Sequence, residues 1–167
     1  MSTKQGYVSV YSLPKVIVLA PCTNFMLDPD ENGLFKPNGN VQLECGVEVV
    51  RGGKADELGQ ALRRALDATI FETPRYPDEE LDARFPADLA RLFGLRTDRS
   101  PYAGMKSCEV ERRLDAVTMS PMRKLHGGTF EGFTGVWVKG HEDVRVRWSD
   151  TDEALGLALQ ECIARCL

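Results

Sequence analysis

Long apolar runs are what this chain lacks most plainly. Its longest, Val16-Ile17-Val18-Leu19-Ala20, is the size of a strand, far short of the roughly 20 residues a membrane helix needs. The start, Met1-Ser2-Thr3-Lys4-Gln5-Gly6, leads into no signal-peptide core, so the expected location is the cytoplasm. An excess of base is also missing. With 21 Lys and Arg against 25 Asp and Glu, the net charge is −4 and the pI near 5.3. Such a surface repels phosphate backbones, which disfavours direct nucleic-acid binding and leaves room for a basic protein partner. No Gly-x-Ser-x-Gly elbow is present, and Gly127-Gly128 lacks the Lys-Ser/Thr that would make a phosphate loop.

What is there suits a folded protein. The 167 residues fit one domain spanning 1–167, large enough to bury roughly 70% of the unfolded surface. Hydrophobic residues make up 43% and charged residues 28%, a balance that argues against disorder. The five cysteines, Cys22, Cys45, Cys108, Cys162 and Cys166, are odd in number and scattered through apolar stretches. Without an export signal they read as reduced, buried thiols.

Tyr7–Tyr11 alternates large and small side chains and predicts a strand, interrupted at Leu13-Pro14. Lys15–Ala20, apolar on both faces, predicts a central strand. Residues 21–40, punctuated by Pro29, Gly33, Pro37 and Gly39, read as a long loop, a feature that in compact domains is often functional. Val41–Val50 alternates as a half-buried strand. Asp56–Thr69 carries Leu58, Ala61, Leu62, Ala65 and Leu66 on one helical face. A helix opens at Pro77, and Pro86 should divide it into two short helices ending at Gly94. A turn or short helix follows from Ser100 to Met105. Cys108–Arg112 and Val117–Pro121 predict a hairpin turning near Leu114-Asp115. After a glycine-rich loop (Gly127, Gly128, Gly132, Gly135) come strands at Val136–Val138 and His141–Trp148. A helix from Asp152 to Leu167 buries Leu155, Leu159, Cys162, Ile163 and Cys166. The fold class is therefore α/β in the broad sense, more narrowly α+β: a mixed or largely antiparallel sheet covered by helices.

Two helices share the pattern Leu-Gly-x-Ala-Leu, at Leu58–Leu62 and Leu155–Leu159. Glycine inside a helix costs about 1 kcal/mol against alanine, so both sites predict close packing of helix on sheet, with the two helices on one sheet.

Several constellations could carry chemistry. Cys108 with His126 as base, and Lys106 nearby, is the candidate for a cysteine nucleophile; the bland alternative is a small hydrophobe entering a strand. Cys162 and Cys166 stand one turn apart and could give two metal ligands, to be completed by His126 or His141. The same spacing lies on the apolar face of the last helix, so core packing and no metal or cofactor is the preferred reading. Asp28-Pro29-Asp30-Glu31-Asn32-Gly33 starts like a calcium loop, but its twelfth position is Gly39 instead of glutamate. Asp28, Asp30 and Glu31 have no role in a helix start. With Glu142 and Asp143 they are the best candidates for meeting a positively charged partner.

From Asp56 to the C-terminus the chain resembles the immunity proteins of bacterial contact-dependent growth inhibition (CDI). The matching pieces are Leu58-Gly59 with Ala61-Leu62-Arg63, then Met105-Lys106-Ser107-Cys108 and Met119-Ser120-Pro121. Leu125 and His126 follow, and Asp152-Glu153-Ala154-Leu155-Gly156 opens a last helix that ends near Cys166. Phe130 and Phe133 stand where the pattern has a tryptophan followed by a glycine. The resemblance implies a non-catalytic cytoplasmic protein that binds the C-terminal domain of a cognate CDI toxin, often a nuclease, and blocks its active site. It makes Met105, Lys106, Ser107, Cys108, Pro121, Leu155 and Gly156 structural signature positions. A small cytosolic enzyme using Cys108 and His126, or a non-catalytic adaptor module, are the alternatives.

Overall fold

The computed structural model describes residues 5–22, 43, 46–69, 79–96, 98, 100–124, 130–132 and 140–167. In chain order these form β1 (Gln5–Leu13), β2 (Val16–Pro21), β3 (Glu48–Arg51), α1 (Ala55–Asp67), α2 (Glu79–Leu92), β4 (Lys106–Arg113), β5 (Ala116–Lys124), β6 (Phe130–Gly132), β7 (Val144–Arg147) and α3 (Asp152–Ala164). The strands make one sheet in the order β3-β2-β1-β4-β5. Beyond that, β5 pairs with β7 through Ala116–Met119 and with β6 through Met122–Lys124. Every pairing is antiparallel. The architecture is α+β, a helix-covered antiparallel sheet.

The pleat sorts the apolar residues into two layers, because successive side chains leave a strand on opposite faces. Val8, Val10, Leu19, Cys108, Val110, Val117 and Met119 meet Leu58, Leu62 and Leu66 of α1 and Leu155, Leu159 and Cys162 of α3. On the other face Val16 and Val18 meet Leu89 of α2 and Phe93 just past its end together with Met105, flanked by Tyr11, Phe85 and Tyr102. β2 supplies both layers, which is why its sequence is apolar throughout and why it lies inside the sheet rather than at an edge.

The repeated Leu-Gly-x-Ala-Leu pattern has a different meaning from the one its sequence suggested. Both helices do lie on one sheet, but the glycines pack helix on helix. A Cβ on Gly59 would fall 1.8 Å from the Asp152 carbonyl oxygen, and one on Gly156 would fall 1.7 Å from that of Ala55. Each glycine accepts the first turn of the other helix, so the N-terminal ends of α1 and α3 cross in backbone contact. Thr151 caps α3 by accepting from the Ala154 N–H at 3.1 Å.

Pro86 does not divide its helix. It sits inside a continuous α2, although an interior proline costs about 3 kcal/mol. Phe85 on one side of it and Leu89, Leu92 and Phe93 on the other pack against the same apolar cluster. Burying Leu89 and Phe93 at roughly 1.5–3 kcal/mol each outweighs the lost hydrogen bond. Gly94, at φ 75, ends α2 as expected, and Leu95 N–H reaches back to the Ala90 carbonyl at 2.8 Å.

The β4–β5 hairpin turns at Leu114-Asp115 as predicted, with Leu114 at φ 55. The strand expected over Val41–Val50 is described only as β3, and Val41 and Cys45 lie outside the described residues. So does Val136–Val138. Phe130–Gly132, read as loop, pairs with β5 instead, a three-residue strand too short to show alternation.

Candidate functional site

Met105-Lys106-Ser107-Cys108 enters β4, and alternation sends its members to opposite faces. Met105 is buried in the α2 layer. Cys108 is wholly buried in the other layer, opposite Pro121 of β5. There the thiol meets Cys162 and Cys166, whose contacts, followed by burial, push its pKa well up. The Cys166 thiol donates to the carbonyl of Ser107 at 3.1 Å or of Cys162 at 3.3 Å. A nucleophile needs a thiolate within reach of reagent; Cys108 is a protonated packing element with no access to solvent. His126, its proposed base, lies outside the described residues. Cys162 and Cys166 join the same apolar cluster. Among the described residues no group of three or more His, Cys, Asp or Glu is placed to hold a metal ion.

A second cluster ties the signature pieces together, and no reading of the sequence anticipated it. Two guanidinium groups lie over the Trp148 indole, that of Arg112 at 3.7 Å and that of Arg63 at 4.7 Å from the ring centroid. Arg63 pairs with Asp152 at 2.6 Å, and also donates to the carbonyls of Trp148 at 2.6 Å and Asp150 at 2.5 Å. Arg112, only 8% exposed, donates to the Leu114 carbonyl at 3.1 Å and faces Asp67 at 3.4 Å. Burial, and in smaller part Arg63, lower the Arg112 pKa, while Asp67 opposes the shift. The cluster fastens α1, the β4–β5 turn and the entry to α3 to one another. One signal was available. Arg112 occupies the inward parity of β4 after Cys108 and Val110, where a lone arginine needs a buried partner.

The acidic candidates divide. Asp28, Asp30 and Glu31 lie outside the described residues. Glu142 is engaged locally: its carboxylate accepts from the Gly140 N–H at 3.0 Å and stands 3.9 Å from Arg165. Arg165 in turn donates to the Glu142 carbonyl at 2.9 Å and pairs with Glu161. Backbone hydrogen bonds, chiefly its own and that of Gly140, hold the Glu142 carboxyl below its ordinary pKa, and Arg165 adds to them. Asp143 is exposed. Two further carboxylates project from the α2-side face of β4: Glu109, which accepts from the Tyr7 hydroxyl, and Glu111, paired with Arg113 at 2.6 Å. These are surface features suited to contact, and they form no acid–base pair around a nucleophile.

A family model described as CdiI, CDI immunity protein, matches residues 47–166. The immunity protein CdiI-YPIII of Yersinia pseudotuberculosis serotype O:3 (strain YPIII) is 26% identical over 99 residues, which is 58% of this chain and 54% of that protein. The match thus spans about half the length of that relative. Among solved structures, a protein of unknown function from Neisseria meningitidis superposes with a TM-score of 0.75 at 15% identity, covering 100% of this chain and 98% of the other. A CdiA-CT/CdiI toxin and immunity complex from Yersinia pseudotuberculosis gives a TM-score of 0.73 at 19% identity, with 99% of both chains covered. Both likenesses concern the fold.

Proposed function

This chain belongs to the CDI immunity protein family, and we propose that it protects its host by binding the C-terminal domain of a cognate CDI toxin and covering its active site. The observation that carries this reading is the family match over residues 47–166. That span contains α1, β4, β5 and α3, with the helix crossing and the arginine–tryptophan cluster, a scaffold whose signature residues, Lys106 apart, are spent on packing. Function then belongs to the surface, and binding replaces catalysis. The protein acts in the bacterial cytoplasm, where a delivered toxin would reach its target.

The toxin domain is a nuclease in this reading. Nucleases carry basic substrate grooves, and a chain of net charge −4 is drawn to such a groove by long-range attraction while shape sets specificity. Neutralisation calls for nanomolar binding, about −12 kcal/mol, and an interface on the order of 1,600 Å2. Asp28, Asp30, Glu31, Glu142 and Asp143 are the proposed contacts.

Co-expression with the toxin domain encoded beside this gene should restore growth, and the purified pair should associate with nanomolar affinity. Continued killing in the presence of folded protein would reject the proposal. Reversing Asp28, Asp30 and Glu31 to lysine should slow association about tenfold at low salt, an effect that fades at high salt; an unchanged on-rate would remove these residues from the interface. Cys108→Ala should leave toxin binding intact, since the thiol is proposed to take no part in it.

A further inference from the structure

At the open end of the sheet, between the β1–β2 turn and the last turns of α3, the chain leaves a cleft of about 620 Å3, a size within the range of small-molecule sites. Its floor is Ile17, Val50 and Ile163, all partly buried and continuous with the core under α1 and α3. Leu13, Pro14 and Val16 complete the lining along the β1–β2 turn. Gly52, Gly53 and Gly104 lie along the rim, each with open space where a side chain would stand.

The polar groups of this cleft are unevenly committed. The Ser12 hydroxyl donates to the Leu13 carbonyl at 3.3 Å, and the Gln160 amide donates to the Gly53 carbonyl at 2.9 Å. Lys15 and Lys106, both lining the cleft, make no hydrogen bond or ion pair among the described residues. Lys106 shares the pleat of β4 with Cys108 on the α3 side, opposite Ser12 of β1, and Lys15 stands in the turn three residues beyond Ser12. No carboxylate and no aromatic ring belongs to the described lining. In a chain of net charge −4, the described cleft offers two ammonium groups, apolar side chains and no stacking surface.

That combination reads charge and aliphatic length rather than a hydrogen-bond pattern or a base. We propose that this cleft binds amphiphilic carboxylates, with the headgroup between Lys15 and Lys106 and an aliphatic chain along Ile17, Val50 and Ile163. Rings that require stacking, such as nucleotides, gain little here. The site is independent of the toxin-binding reading.

The test uses the full chain and decanoate, followed by calorimetry and by amide shifts in NMR spectra. Decanoate should bind saturably and shift Gly52, Gly53 and Gly104, and decanol should bind at least about fivefold more weakly. Lys15→Gln and Lys106→Gln should each weaken decanoate up to about fivefold, as for exposed ion pairs, and leave decanol unchanged. Lys15 is an exposed turn residue, so its variant keeps the test valid even if the other misfolds. Equal binding of decanol and decanoate, shifts located elsewhere, or no saturable binding would each overturn the proposal.

Discussion

The two faces of the sheet are closed in different ways. Under α1 and α3 the contact is between backbones: Gly59 and Gly156 bring two helices together, and the thiols of Cys108, Cys162 and Cys166 fill what remains. Under α2 the contact is between large side chains, with Tyr11 and Phe85 edge to face at 5.7 Å and Phe93 and Met105 beside them. The first face tolerates no added atom, because a backbone cannot rotate away. The second can adjust through rotamers, and it absorbs a proline within its helix. The family signature residues gather mainly on the first of these faces.

The largest expected effect would break the rigid face. Gly59→Ala or Gly156→Ala puts a methyl carbon within 2 Å of a carbonyl oxygen, so the helices must separate. We expect losses of about 3 kcal/mol or more in urea unfolding, above the usual cost of overpacking. A loss below about 1 kcal/mol would mean that the crossing is loose and the contrast false.

Trp148→Leu tests whether that face depends on its cation–π contacts as well as on glycine. It keeps an apolar side chain but removes the ring that both Arg63 and Arg112 cover. Each lost cation–π contact is worth about 0.5–2 kcal/mol, and the released like charges add to the cost. Stability should therefore fall by about 1–4 kcal/mol, and added salt, which screens the two cations, should narrow the gap. Measured equality with the parent protein would reduce the cluster to decoration.

On the adaptable face the sign reverses. Pro86→Ala restores a backbone N–H in mid-helix and should raise stability by about 1 kcal/mol, less than the full cost of proline because the native helix has already relaxed around it. Destabilisation would mean that the proline ring itself contributes to the fit of α2 on the sheet.

The smallest effect belongs to Glu142→Gln. Folding depresses this carboxyl, so its contribution is present above the unfolded value of about 4.3 and fades as pH falls through the folded one. The variant should be slightly less stable than the parent at neutral pH, and the two should converge in acid. If toxin binding also weakens, Glu142 serves the partner as well as the Arg165 contact.

The elements legible from the sequence were those whose pattern is local. Alternation identified β1, a short run apolar on both faces identified β2, the strands of the β4–β5 hairpin were read from their own residues, and three-and-four spacing identified α1 and α3. Gly94 marked the end of α2. The misreadings share a cause. Pro86 obeys a local rule that tertiary burial of Leu89 and Phe93 overrode. Gly59 and Gly156 announced close packing, yet nothing near either glycine names its partner, which lies almost a hundred residues away. The arginine–tryptophan cluster was hidden for the same reason: the inward parity of Arg112 calls for a buried partner, but nothing near it points to Trp148 or Arg63.

Composition, charge and periodicity alone were enough for an acidic α+β fold with buried thiols, and the ordered motifs from Leu58 to Gly156 were enough for the family. Those properties belong to short stretches of chain, and a short stretch carries its own pattern of burial. Which face each helix covers, why two glycines must be glycines, how two arginines share one indole and where a cationic cleft opens were decided only when distant segments met. Such contacts depend on the sum of packing over the whole sheet, and that sum is written in no single segment.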